Sequence, residues 1–292
     1  MATEIYRQVR TAFRNLKPRE VRELAERPLA VGLIASSHQR YAEMENALAP
    51  PGASHARRLE LARVLDRADG PGAFEQFDLL LCEEELLRPP GAFCFYSSDP
   101  RRTVREVLAA REDLELALAR NLDPFRRPVI AKIIRRIAKE NAAFSLLTAL
   151  PDVIPSLAEL PWAVGEFASD TAFLTMNQVR MAFLIAAASD REVGYREQRP
   201  QIAAIVGGAV GWRALARELA GKIPFGGGLI PKAAIAYAGT YTVGVGLERF
   251  YRIGRGLTRQ ERREIYERAL ERGREVVRAL LEIRRSVHER EG

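Results

Sequence analysis

The feature that most constrains the fold lies between residues 31 and 48, where a short apolar run is followed by a polar turn and a helical pattern. The apolar run predicts a strand at roughly 28–36, and the pattern after the turn predicts a helix at 38–48. Two further apolar runs, at 77–82 and 93–96, are short enough to be buried strands. Strands that alternate with helices predict a small, mostly parallel α/β sheet.

The turn after the first strand has the length of a phosphate-binding loop but lacks the residues of one. That loop has the pattern G-x-x-x-x-G-K-[ST] between a strand and a helix. Here its four defining positions are held by Ala35, Arg40, Tyr41 and Ala42. The glycines let backbone N–H groups face the phosphates, the lysine adds charge, and the hydroxyl holds Mg²⁺. The segment therefore resembles the start of a small GTPase without its nucleotide chemistry, and we expect no bound cofactor.

The region after the second predicted strand is acidic. Carboxylates at the carboxyl end of a strand, such as those of Glu83, Glu84 and Glu85, can bind Mg²⁺ in α/β enzymes. Because no phosphate-binding loop accompanies them, we predict a solvated loop instead.

Charge and cysteine content limit the classes of partner and compartment. The 292-residue chain has 45 basic and 38 acidic residues, and its net charge of +7 favours an anionic partner such as a lipid surface. No helix-turn-helix or aromatic RNA platform is evident, so we expect no nucleic-acid partner. Cys82 and Cys94 lie in apolar runs, which predicts buried free thiols. The polar N-terminus lacks a signal-peptide pattern. We predict a cytoplasmic protein, with peripheral attachment to the inner membrane as the alternative.

Beyond residue 101 the sequence predicts only helices. The predicted organisation is an N-terminal helical segment at 1–27, a small α/β domain at 28–122 and an all-helical domain at 123–292. Within the α/β region, residues 54–68 are also predicted to be helical. The predicted fold class is accordingly α+β and mostly α.

A predicted helix near residue 130 combines an apolar stripe with basic residues on either side of it. Such a helix can lie on an anionic membrane or a protein partner, and the alternative is an ordinary solvated face over a packed stripe. The candidate surface consists of Arg126, Arg127, Lys132, Arg135, Arg136 and Lys139.

Four polar residues interrupt an otherwise apolar helical stretch. They are Glu166, Asp170, Asn177 and Arg180. The first two stand four apart and the last two stand three apart, so each pair shares a helix face. Buried carboxylates need partners. We consider two alternatives, a site for an ion or head group and a structural salt-bridge network.

The last predicted helix, at 258–289, repeats apolar and small residues at alternating spacings of three and four. This seam should pack against another helix, either within the chain or on a second copy in a homo-oligomer. We favour packing within the chain because Ala269 and Gly273 allow close approach. The seam consists of Tyr266, Ala269, Gly273, Val276, Leu280, Ile283 and Val287.

The segment at 201–250 raises the question of membrane insertion. Its longest charge-free stretch, residues 233–247, has 15 residues, whereas a spanning helix needs roughly 20. We favour a helical core, with a hairpin that dips into a bilayer as the alternative.

Residues 124–255 resemble a known but uncharacterised helical family. The motifs that carry the resemblance, in order, are Ile223-Pro224, Gly226 to Gly228, Ala236-Tyr237-Ala238, Thr240-Tyr241 and Phe250-Tyr251. The stretch at 174–195 also fits. The family is the bacterial domain of unknown function 697, which follows GTPase domains and occurs in proteins assigned to the inner membrane. The resemblance implies a helical architecture and a GTPase-like domain before it, but no activity and no bound nucleotide.

These observations favour a non-catalytic protein that binds a partner or a membrane through its helical part. One alternative is a nucleotide-dependent switch with an unconventional site near residues 35–42. A second is a membrane-inserted helical protein.

Overall fold

The computed structural model describes residues 16–49, 52–148, 170–207 and 229–291. Over these residues the protein is mostly helical and contains one small parallel sheet of four strands. This confirms the predicted class, α+β with mostly α content.

The sheet forms between residues 31 and 95. Its strands are β1 (Val31–Ile34), β2 (Leu65–Arg67), β3 (Leu79–Glu83) and β4 (Phe93–Phe95). They are all parallel, in the order β2-β1-β3-β4. β3 is buried along its whole length, as expected for a central strand of a parallel sheet whose two faces are both covered. This explains why β1 and β3 appear in the sequence as continuous apolar runs.

Five helices and two 3₁₀ turns surround these strands in the chain. The helices are α1 (Pro18–Glu26), α2 (His38–Leu48), α3 (His55–Leu61), α4 (Pro100–Ala110) and α5 (Glu115–Asn121). The 3₁₀ turns are Pro71–Gln76 and Glu112–Leu114. α2 has the bounds predicted from the sequence. Ser37 begins it by accepting a hydrogen bond from the N–H of Arg40, the usual role of serine at a helix N-cap.

The predicted helix at 54–68 is wrong in its second half. α3 ends at Leu61, and the chain then forms the edge strand β2. Leu65 pairs with Val31 of β1, and the Val31 N–H donates to the Val64 carbonyl at 2.7 Å. Pairing with a neighbouring strand has overridden a helical pattern, which is common for short strands.

Long helices make up the rest of the described chain. They are α6 (Asp123–Leu147), α7 (Asp170–Ala188), α8 (residues 199–207), α9 (Leu229–Ile253) and α10 (Arg259–Glu291). The contacts divide the chain into two compact units. The α/β unit comprises the described residues of 20–131 and 186–192, and the helical unit comprises those of 1–19, 132–185 and 193–292. The domain bounds given by the sequence stay predictions.

The seam of α10 packs against α9 of the same chain. Tyr266 and Ala269 cluster with Ala238, and Val277 is buried with Tyr237 and other residues of α6 and α9. Gly273 approaches α9 so closely that a Cβ placed there would lie 2.9 Å from the carbonyl oxygen of Ala234. Packing within the chain therefore accounts for the described part of the seam. The side chains of Ile283 and Val287 lie outside the described residues.

None of the described helices is long and apolar enough to cross a membrane. The central part of the segment considered for a membrane hairpin, residues 208–228, lies outside the described residues, as do the motifs at 223–228 that contribute to the family resemblance.

Candidate functional site

The turn between β1 and α2 lies where an open parallel sheet usually binds its ligand. The chain leaves β1 for β2 on one side and then returns to β3 on the other side. In open α/β sheets, ligands bind outside the carboxyl ends of the strands at such a reversal of strand order. The residues that follow β1 and β3 are therefore the first place to look for a binding site.

A carboxylate of the chain itself occupies this position. Glu83, the last residue of β3, is only 4% exposed. Its Oε2 accepts a hydrogen bond of 2.8 Å from the backbone N–H of Ser36. Its Oε1 lies 3.1 Å from Nε of Arg40, in the first turn of α2. A backbone donor and a cation near the start of α2 are thus both directed at an internal anion.

The electrostatics keep this anion charged. The hydrogen bond from Ser36 lowers the pKa of Glu83, and Arg40 lowers it further, whereas burial opposes both effects. The net shift is downward. Glu83 is therefore ionised at neutral pH, and its charge repels any phosphate that approaches the turn.

Ser37, His38 and Tyr41 also make contacts within the turn. Ser37 has an extended backbone and uses its hydroxyl oxygen to accept the N–H of Arg40 at 3.2 Å. The ring of His38 stacks on that of Tyr41, with 6.4 Å between centroids. Two of the donors that a helix start could offer to an anion, the N–H groups of Ser36 and Arg40, already have partners within the chain.

The four positions that define a phosphate-binding loop are brought together at this turn, but they carry different chemistry. Ala35 and Ala42 are half-buried and have no polar side-chain atom. Burial raises the pKa of Tyr41, so its phenol stays neutral. The guanidinium of Arg40 contacts Glu43 at 3.1 Å as well as Glu83.

The prediction of a solvated acidic loop at 83–85 is correct for two residues and wrong for the third. Glu84 and Glu85 are exposed, whereas Glu83 is buried. The sequence placed Glu83 at a strand end but gave no sign that Ser36 lies opposite it. In the described part of the chain, no three side chains of the histidine, cysteine, aspartate or glutamate type are grouped closely enough to hold a metal ion.

The predicted polar cluster in the helices is only partly assembled. Asn177 is fully buried and donates to Oδ1 of Asn141 at 2.9 Å, and Asn141 donates to Thr240 at 2.7 Å. Gln178 donates to the same threonine at 3.3 Å. Arg180 instead pairs with Glu140 at 3.1 Å. The structural alternative fits these contacts.

The other members of that predicted cluster cannot be placed. Glu166 and the side chain of Asp170 lie outside the described residues. Sequence reasoning missed Asn141 and Thr240. The available signal was that Asn141 continues the apolar stripe of α6 and that Thr240 lies in the charge-free stretch of α9.

The predicted basic surface of α6 is smaller than its sequence indicates. Arg126 donates to the carbonyls of Arg120 and Ala188 and pairs with Asp123, so its charge is used inside the α/β unit. Lys132 and Arg136 are half-buried and have interactions of their own. The exposed members are Arg127, Arg135 and Lys139.

Comparison of this chain with protein-family models, with curated proteins and with solved structures finds no match. The family resemblance drawn from the sequence motifs stays a prediction.

Proposed function

We propose that this chain is a non-catalytic interaction protein built on a GTPase-like scaffold, in which Glu83 takes the place of a nucleotide phosphate. The observation that carries the proposal is the position of the Glu83 carboxylate, which binds the backbone N–H of Ser36 and faces Arg40. This anion lies at the reversal of strand order, where a sheet of this kind would hold its ligand.

A nucleotide would have to displace this carboxylate. In a working phosphate-binding loop, backbone N–H groups and a lysine face the β- and γ-phosphates. Here the Ser36 N–H donates a charge-assisted hydrogen bond to Glu83, which is stronger than a neutral one, and the Arg40 guanidinium forms an ion pair with the same carboxylate at 3.1 Å. The displaced carboxylate would also remain nearby as a repelling charge. The turn therefore favours a stable scaffold over a nucleotide-dependent switch.

The first experiment is isothermal titration of the full chain with GTP, GDP and ATP, each with Mg²⁺. We expect no saturable heat with any of them. Micromolar binding that Arg40→Ala or Tyr41→Ala weakens would reject the proposal in favour of a switch with an unconventional site.

A rescue experiment tests the role of Glu83 directly. Glu83→Ala removes the internal anion and leaves the Ser36 N–H and Arg40 without it, so inorganic phosphate should raise the melting temperature of this variant more than that of the wild type. Glu84→Ala is the matched control, because Glu84 is exposed, and it should respond to phosphate as the wild type does. Equal responses of all three proteins would show that no anion position exists at the turn.

In this proposal, the helical part of the chain binds the partner or membrane. Arg135 and Lys139 are exposed on α6, and the net charge of +7 favours an anionic surface. The proposal is peripheral contact with an anionic membrane, and a protein partner is the alternative.

Sedimentation with anionic and neutral vesicles at low salt tests the membrane role. The Arg135→Gln/Lys139→Gln double variant should lose most of its binding to anionic vesicles, because each basic residue near such a surface contributes about 1 kcal/mol. The Arg263→Gln/Arg268→Gln variant of α10 removes the same charge and should bind nearly as the wild type. Equal loss of vesicle binding in both variants would contradict a specific surface on α6. If the wild type did not bind vesicles at all, the membrane role would be rejected in favour of a protein partner.

A further inference from the structure

The two cysteines of the chain lie opposite each other in the sheet. Cys82 is in the central strand β3 and Cys94 is in β4, and they are direct partners in the parallel register of these strands. One residue earlier, Leu81 pairs with Phe93 in the same register. Because side chains alternate between the faces of a sheet, direct partners in neighbouring strands point to the same face. The two thiols, which are free, therefore lie on one face of the sheet.

The separation of these two positions suits a disulfide. Neighbouring strands lie about 4.8 Å apart, which is within the range of roughly 4.4–6.8 Å for the Cα atoms of a disulfide. The Cβ atoms of a disulfide are closer, at roughly 3.5–4.5 Å, so the strands must approach slightly when the bond forms. Among the strands that the structure describes, β4 pairs with β3 alone, and it has only 3 residues. Such a short edge strand can move more readily than a strand that is hydrogen-bonded on both sides.

Electrostatics also indicate that the two sulfur atoms are close. Burial has the largest effect on the pKa of Cys82 and raises it, and the charge of Cys94 raises it further. Charges influence each other in this way only over a short distance.

The two cysteines differ in their access to solvent. Cys82 is fully buried, whereas Cys94 is half-buried. Arg102 of α4 lies near Cys94, because its pKa is raised first by its hydrogen bond to Glu106 and also by the charge of Cys94. A partly exposed cysteine near a cation is the kind that oxidants attack, whereas a buried cysteine is inert to them. Cys94 is thus placed to meet an oxidant, and Cys82 is placed to react with the product.

We propose that Cys82 and Cys94 form a reversible redox site, in which a hydroperoxide converts the two thiols into a disulfide between β3 and β4. The Cys94 sulfur attacks the peroxide and becomes a sulfenic acid, while the O–O bond breaks and the leaving oxygen takes the thiol proton. The Cys82 sulfur then attacks the Cys94 sulfur, so that the S–S bond forms and the S–O bond breaks. The hydroxide leaves as water with the proton of the Cys82 thiol. Two electrons pass from the thiols to the peroxide, and a dithiol reverses the reaction by thiol–disulfide exchange.

The disulfide fastens the edge strand β4 to the centre of the sheet. It also ties together the two ends of the loop at 84–92, which carries Leu87, a side chain that is 97% exposed. The site uses neither Ser36 nor Arg40, so it stands or falls independently of the proposed function.

Peptide mapping of the oxidised full chain tests the site. The chain is treated with a small excess of hydrogen peroxide at neutral pH, its remaining thiols are alkylated, and it is cleaved by a protease that cuts after glutamate. Because Glu83, Glu84 and Glu85 lie between the two cysteines, the cysteine peptides stay joined only through a disulfide. We expect joined peptides from monomeric protein, and we expect them to separate after treatment with dithiothreitol. The absence of joined peptides, or their presence only in disulfide-linked dimers, would overturn the proposal.

Two variants assign the roles of the cysteines, with dimedone as a reagent that traps sulfenic acids. Cys82→Ala should accumulate the dimedone adduct on Cys94, because the thiol that would form the disulfide is missing. The wild type should accumulate little adduct, and Cys94→Ala should keep its buried Cys82 thiol reduced. As much adduct in the wild type as in Cys82→Ala, or equal oxidation of the remaining cysteine in the two variants, would overturn the proposal. The wild-type peptide map alone suffices to reject the site if a variant does not fold.

Discussion

Gly273 and Gly246 offer a matched test of the packing between α9 and α10. Both lie inside long helices. Replacing glycine with alanine inside a helix normally stabilises it by about 1 kcal/mol. The surroundings of the two residues differ, so the same substitution should have opposite effects.

The geometry sets the size of the difference. An added Cβ at Gly246 would lie 3.6 Å from Cδ1 of Leu257, which is an ordinary contact. At Gly273 it would lie 2.9 Å from the Ala234 carbonyl oxygen and 3.2 Å from Ala234 Cα, which are backbone atoms that cannot rotate away. Overpacking of this kind costs about 1–3 kcal/mol. Gly246→Ala should therefore stabilise the protein by about 1 kcal/mol, and Gly273→Ala should be up to about 2 kcal/mol less stable than the wild type.

Urea unfolding followed by far-UV circular dichroism would measure both variants. We expect Gly273→Ala to unfold at a lower urea concentration than Gly246→Ala, with a similar dependence of the unfolding free energy on urea concentration. If Gly273→Ala were as stable as Gly246→Ala, α9 and α10 would not approach each other as closely as described.

Three further predictions concern individual side chains. The Thr258 N–H and the Arg249 guanidinium lower the pKa of Glu261 from 4.5 to about 2, so its stabilising effect is complete above about pH 4.5 and is lost as the pH falls toward 2. Urea unfolding across this pH range should show that the free energy of unfolding depends less on pH in Glu261→Gln than in the wild type. The same pH dependence in both proteins would contradict the contact. Asn177→Ala leaves the buried Oδ1 of Asn141 without its donor and should lower the free energy of unfolding by about 1–3 kcal/mol. The control Asn46→Ala, at an exposed position, should change it by less than about 0.5 kcal/mol. Similar effects of the two substitutions would disprove the buried network. Burial raises the pKa of the Cys82 thiol. A thiol reagent should therefore label Cys94 first and Cys82 only on unfolding, which mass spectrometry would measure. Faster labelling of Cys82 would show that β3 is exposed.

Patterns that depend on one segment were predicted well. Apolar runs located β1, β3 and β4, and the helical pattern after the polar turn located α2. The spacing of Ala269 and Gly273 indicated a close helix contact, and its partner is α9. Each of these features has its cause within a few residues of the chain.

Features that depend on distant contacts were not predicted. β2 exists because it pairs with β1, and Glu83 is buried because the chain returns to a position beside Ser36. Arg126 looked like a surface charge, but its partners include the carbonyl of Ala188, which is far away in sequence. In each case the energy comes from a tertiary contact that local propensity does not encode.

In the proposed function, Glu83 rather than a nucleotide occupies the turn between β1 and α2. The most direct measurement follows the backbone amide of Ser36 by NMR through a pH titration, with and without GTP and Mg²⁺. We expect this amide resonance to shift with a midpoint below the ordinary glutamate pKa of about 4.3. The shift should disappear in Glu83→Gln, and GTP should have no effect on the resonance. A Ser36 amide resonance that does not change with pH but shifts when GTP is added would show that the nucleotide, and not Glu83, occupies the turn.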